Sequence, residues 1–205
     1  MYTCADCTLQ SCSFGNPDKL PANCPMRNKN LFHTAFAEYQ KEENHEFYVN
    51  SSEIEGIGYC QWTRLREIIE FCRLMHYEKV GLAFCRGLRR EAKVTAGVLR
   101  KNGLKVVSVI CKTGGIPKEK IGIPKDKKVH PDSFEPMCNP LTQAALLNEQ
   151  KTQLNIVLGL CVGHDSMFYK YSEAPVTTFA VKDRVLANNP LGAVYCAESY
   201  YKSKF

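Results

Sequence analysis

The chain has 205 residues, 44% of them hydrophobic and 23% charged, with a formal net charge of +6 and eleven cysteines. That length and apolar content suit one well-packed domain with a small appendage, and they exclude a disulfide-packed miniprotein. The odd cysteine count also leaves one thiol over in any all-disulfide scheme. The basic excess sits in Arg86, Arg89, Arg90, Lys93 and the run Lys118–Lys128, with no aromatic interleaving, which argues against a nucleic-acid platform. No export leader is expected, because residues 1–15 hold three cysteines and no basic stretch leading into an apolar one. No membrane association is expected either: the longest apolar run, Ile156–Val162, is only strand-sized. A cytoplasmic location follows, and reducing cytoplasm favours thiolate ligands over disulfides.

Residues 1–30 read as irregular, with Gly15 to Asp18, Pro21 and Pro25 breaking every period. A helix is expected over 31–43, and Ser51 and Ser52 are candidate caps for a second, interrupted by Gly56 and Gly58. A stronger helix spans 63–76, where Leu65, Ile68, Ile69, Cys72 and Met75 form one stripe. From there strand and helix alternate. Strands are expected at 80–84, 104–110, 154–160 and 175–181, with helices at 87–101, 140–153 and 165–171. Residues 192–197 read as a fifth strand, and 112–138 as a long excursion rich in glycine, proline and lysine. Apolar strands without polar alternation imply an α/β fold: a mainly parallel sheet of four or five strands with flanking helices, plus a cysteine-rich irregular N-terminal segment. The division expected is a cysteine-rich metal-binding segment and linker helix over 1–60, then the α/β domain over 61–205.

Eight cysteines fall into two sets. Cys4, Cys7, Cys12 and Cys24 have the spacing C-x2-C-x4-C-x11-C in a segment without an apolar stripe. Such segments are held by metal, since a disulfide within so short a spacing is strained. The spacing does not choose between a [4Fe–4S] cluster and zinc. Cys85, Cys111 and Cys161 each follow an expected strand, and Cys138 precedes a helix. Parallel sheets gather their sites along that carboxyl edge, so these four are expected to meet there. Cys60, Cys72 and Cys196 lack such context and read as core filler.

The stretch GLCVGHDSMF over 159–168, with Ala174 to Thr177, Lys182 to Val185 and Asn189-Pro190, resembles the DUF1847 family of uncharacterised proteins, which are considered metal-binding. The segments 80–87, 107–115 and 138–148 share the resemblance, and Cys4 and Cys7 look like the family's opening. The resemblance implies cysteine-ligated metal and adds weight to the strand-end set; it supplies no substrate.

The expectation is therefore two [4Fe–4S] clusters, one on Cys4, Cys7, Cys12 and Cys24 and one on Cys85, Cys111, Cys138 and Cys161, with zinc as the alternative at the N-terminal site. His164, Asp165 and Lys182 are the candidate catalytic groups beside the second site, with Asp165 also a candidate helix cap. Arg184 and Lys112 are candidates to neutralise an anion or the cluster itself. Neither the phosphate-loop nor the dinucleotide glycine signature is present, so no nucleotide cofactor is expected. The chemistry points to a redox or electron-transfer protein with a redox partner protein, or a cluster-dependent enzyme of unspecified substrate. A non-catalytic metal- or redox-sensing module is the rival reading.

Overall fold

A computed structural model describes residues 1–16 and 18–205. Pro17, in the expected turn at Gly15 to Asp18, lies outside the described residues. The chain divides into two compact units, Met1–Ile57 and Gly58–Phe205.

The first unit opens with single 3-10 turns at Cys4–Asp6 and Pro25–Arg27. Helix α1 spans Lys29–Tyr39, and Asn28 caps it by accepting from the Leu31 N–H at 3.2 Å. The single helix expected over 31–43 is in fact broken at Gln40, and α2 begins at Glu42 and runs to Gly58. Ser51 and Ser52 are interior to α2 rather than caps. Ser51 Oγ donates back to the Tyr48 carbonyl, the way a mid-helix serine satisfies itself.

The second unit is an all-parallel sheet with helices on both faces. Its strands are β1 (Lys79–Phe84), β2 (Lys105–Ile110), β3 (Leu154–Leu160) and β4 (Val176–Val181), in the order β2-β1-β3-β4. All seven residues of β3 are buried, which accounts for its unbroken apolar sequence apart from Asn155 and Gly159. On one face α3 (Arg64–Leu74) and α4 (Arg89–Lys101) pack Ile68, Ile69, Ala92, Ala96 and Leu99 against Val80, Leu82, Ile156 and Leu158. On the other, α5 (Pro140–Glu149) and α6 (His164–Tyr171) set Ala144, Leu147 and Phe168 against Ala83, Val109, Val157 and Leu160. The alternation of Leu82 and Ala83 between the two layers is the period-2 consequence of the pleat.

Helix α4 stops where its sequence says it should. Gly103 takes φ +91°, its N–H bonds the Arg100 carbonyl, and the Leu104 N–H bonds that of Leu99. The expected fifth strand over 192–197 is not one: Leu191–Tyr195 is a short helix, α7. A five-residue apolar run following a turn and Pro190 fits either state, and length alone cannot decide it. Cys72 is the expected core filler, fully buried, its thiol pushed up to about 12 by burial. Cys60 is exposed and adopts φ +56°, so it fills no core, and Cys196 is only half-buried.

Candidate functional site

The strand order makes the site's position intelligible. From β1 the chain crosses to β2 on one side, and later to β3 on the other, so the crevice beyond β1 and β3 lies at a topological switch point. Cys85 and Cys111 continue their ladders by one step: the Cys85 N–H bonds the Leu158 carbonyl at 3.0 Å and the Cys111 N–H that of Phe84 at 2.9 Å. Cys161 follows β3 directly. Cys138 arrives from the long excursion, and the Asn139 N–H bonds the Cys111 carbonyl at 2.8 Å, tying that loop end to β2. Asn139 then caps α5 by accepting from the Thr142 N–H, with Pro140 in the first turn.

The four thiols come together. Cys85, Cys111, Cys138 and Cys161 line one small cavity of about 10 Å³ with His164 and Gln143. Cys111, which is buried, hydrogen-bonds with both Cys85 and Cys138. Those bonds hold the Cys111 thiol well above its ordinary range and protonated. Its neighbours move the other way. Cys85 is lowered to about 5, first by Cys111, then by the Gly87 N–H at 3.4 Å and by the Lys182 charge, against the opposing effect of burial. Cys138 is lowered to about 3 by Cys111, His164 and Lys112. The Arg86 N–H also donates to Cys111 Sγ at 3.3 Å, and Arg184 Nη2 donates to Cys161 Sγ at 3.0 Å. Sulfur is thus met by backbone N–H groups and by cations from three loops, the environment that stabilises thiolates and tunes thiolate-bound metal.

His164 is half-buried, and its hydrogen bond to Cys138 raises its pKa above the ordinary imidazole range. Asp165 lies in the first turn of α6, but the helix cap is Gly163 and makes no side-chain bond. The Asp165 carboxylate accepts instead from the Ser166 N–H at 2.8 Å, so the capping role expected of it is not the one it has. Lys182 is half-buried; its Nζ lies 3.5 Å from where a Cβ on Gly159 would stand and 3.8 Å from one on Gly87.

Gln143 is the residue that sequence reasoning missed. It is fully buried, and its Nε2 donates to the carbonyls of Val109 at 2.8 Å and Phe84 at 3.4 Å, clamping the ends of β2 and β1. Those two acceptors orient the amide, and Oε1 is left as the buried side-chain polar atom without a partner among the described residues. Its only sequence signal is a glutamine beside Ala144 on the apolar face of α5.

In the first unit Cys4, Cys7 and Cys24 line a cavity of about 200 Å³ with Thr3, Asp6 and Asn23. Cys12 is exposed and is not part of that lining. Among the described residues, no three His, Cys, Asp or Glu side chains stand arranged to hold a metal ion, and no helix is long and apolar enough to cross a membrane. At the sheet edge the thiols bond one another instead.

An uncharacterized protein from Methanocaldococcus jannaschii is 47% identical to this chain over 201 residues, covering 98% of this chain and 96% of its own length. The family described as "Protein of unknown function (DUF1847)" matches residues 24–179, a span that holds Cys24 and the four sheet-edge cysteines, and the chain belongs to that family.

Proposed function

We propose that the protein is a metalloprotein with two cysteine-held centres, acting in redox or electron-transfer chemistry. One observation carries this: four cysteines from three loops line a single cavity at the carboxyl edge of a parallel sheet, under a shell of N–H donors and cations. Catalytic thiol chemistry needs one or two such sulfurs, whereas a four-iron cluster takes four. The donor set fits that group. Cys85, Cys138 and Cys161 are each partly exposed around the buried Cys111, with Cys85 and Cys138 packed against the core layer it belongs to. Bound there, an iron–sulfur cluster would supply one-electron transfer. Cys111 would anchor it from β2, the Arg86 and Gly87 N–H groups would donate to its sulfur ligands, and Gln143 Oε1 offers an acceptor beside it. His164, bonded to Cys138, is placed to hold a proton at the rim. In the first unit the 200 Å³ cavity is larger than one ion needs, which favours a cluster over zinc there, with Cys4, Cys7 and Cys24 on its wall and the exposed Cys12 as the fourth ligand.

The 10 Å³ of the sheet-edge cavity favours a second reading for that site alone, a single tetrahedral ion on the same four thiolates. Anaerobic purification followed by iron, acid-labile sulfide and zinc analysis separates the two. About eight iron and eight sulfide per chain is the expected result for two four-iron clusters. One zinc and about four iron would assign the single ion to the sheet edge if Cys111→Ser removes the zinc. Colourless, metal-free protein would refute both readings.

A further inference from the structure

We propose that Arg184 and Lys182 form a recognition site for a small carboxylate or oxyanion, bound at the Cys161 corner of the sheet-edge centre. The inference rests on the reading of that centre as metal-holding, and it names the class of ligand the centre meets.

The four cysteines are not equivalent. Cys85, Cys111 and Cys138 are linked through the Cys111 thiol and two of them by backbone N–H donors. Cys161 stands apart. In the β1–β3 register Phe84 pairs with Leu158, so Cys85 is level with residue 159 and Cys161 lies two residues further out. Its side-chain bond is to the exposed guanidinium of Arg184, which reaches it from the segment after β4. A guanidinium that donates to one sulfur has further N–H donors in the same fork, the geometry that pairs with carboxylate, phosphate or sulfonate.

Lys182 supplies the second cation. Its ammonium makes no hydrogen bond or ion pair with the described residues, although it is half-buried beside Cys85 and over the two glycines of the switch point. Gly159, at φ +70°, takes no side chain because a Cβ there would stand 2.2 Å from Leu88 Cδ1, and Lys182 Nζ lies over it at ordinary contact distance.

Charge decides what the pair is for. Four thiolates with either a divalent ion or a four-iron core in its 2+ state carry about −2. Lys112 lies on the Cys138 side of the cavity, whereas Arg184 and Lys182 lie on the Cys161 and Cys85 side. The nearby carboxylates are engaged elsewhere: Asp165 by the Ser166 N–H, Asp183 by the N–H groups of Val185 and Leu186 at 2.9 and 2.8 Å. Arg184, with N–H donors beyond the one it gives Cys161, and Lys182, whose ammonium donates to none of the described residues, are left on that side to meet an anion of one or two charges.

The test is calorimetric titration of anaerobically purified, metal-loaded protein with malonate and, separately, inorganic phosphate, with sodium chloride as the control anion. Saturable binding of malonate or phosphate is expected, weakened about tenfold or more by Arg184→Gln and by Lys182→Gln, and unaltered by Lys101→Gln at the far end of α4. The two anions distinguish carboxylate from phosphate preference. Metal analysis of the same samples separates this proposal from the one beneath it. Full metal with no saturable binding, or with binding that neither substitution weakens, overturns the anion site alone. Protein that carries no metal at the sheet edge overturns both.

Discussion

Gly81 and Gly97 offer the same chemical change with opposite expected signs. Gly81 lies in β1, four residues before Cys85. A Cβ there would stand 2.0 Å from Asn155 Oδ1 and 2.8 Å from Leu147 Cδ1. Neither neighbour can give way cheaply. Leu147 and Asn155 are fully buried, and the Asn155 amide accepts from Thr152 Oγ1 and donates to Ser172 Oγ, both at 2.8 Å. Moving it breaks buried hydrogen bonds, at about 1–3 kcal/mol, on top of overpacking at about 1–3 kcal/mol. Gly81→Ala should therefore cost roughly 2–6 kcal/mol. Gly97, inside α4, has nothing within 4 Å of its missing Cβ. Gly97→Ala should stabilise by about 0.5–1 kcal/mol, since alanine gains only helix propensity there. Urea unfolding followed through the single tryptophan, Trp62, at equal metal content measures both. A cost below about 1 kcal/mol for Gly81→Ala, or the same sign for both variants, would show that the Asn155 packing is not as tight as drawn.

Cys72→Ser should leave the metal complement unchanged while costing about 1–3 kcal/mol, because it buries a hydroxyl in an apolar layer; thermal melts and metal analysis on one sample check both halves. Asp165→Ala should leave metal content intact and change stability by less than about 1 kcal/mol, since its carboxylate is no helix cap and contributes only a first-turn charge; a larger loss would assign it a structural partner. Acid should loosen the excursion between β2 and α5. Lys118 and then the His130 N–H hold the Glu135 carboxyl down at about 2, below its unfolded value of roughly 4.3. A depressed carboxylate contributes stability that is fully present above the unfolded pKa and lost as pH falls from there towards about 2. Hydrogen exchange over residues 116–138 should accelerate as pH falls from roughly 4.3 towards about 2, and Glu135→Gln should flatten that response. An unchanged acid response in the variant would place the sensitivity elsewhere.

The central strands were legible because a strand buried on both faces has no polar alternation to confuse it; β3 spans Leu154–Leu160, the bounds expected of it. The strand-end cysteines were legible for the same reason, since each boundary fixes which end of the sheet its cysteine occupies. What failed was local. The Leu191–Tyr195 run carries apolar residues without enough length to show a period, and Ser51-Ser52 looks like a cap unless the helix before it is already known. Spacing placed Cys12 with Cys4, Cys7 and Cys24, yet only the other three line the N-terminal cavity. Gln143 was illegible in principle. Its amide acquires a role only when the Phe84 and Val109 carbonyls arrive from segments 59 and 34 residues away.

The placement of β2 at the sheet's edge divides the four sheet-edge sulfurs into two kinetic classes. Cys85 and Cys161 are rooted on the two interior strands, whereas Cys111 ends the edge strand and Cys138 hangs from the loop that Asn139 ties to it. Edge elements open at lower free energy than the interior of a sheet. A local opening of β2 and its loop would carry Cys111 and Cys138 away as one piece and leave Cys85 and Cys161 in place. Cys111 and Cys138 should therefore become reactive to a thiol reagent together and ahead of Cys85 and Cys161, with the Gln143 bonds to Val109 and Phe84 opposing the opening.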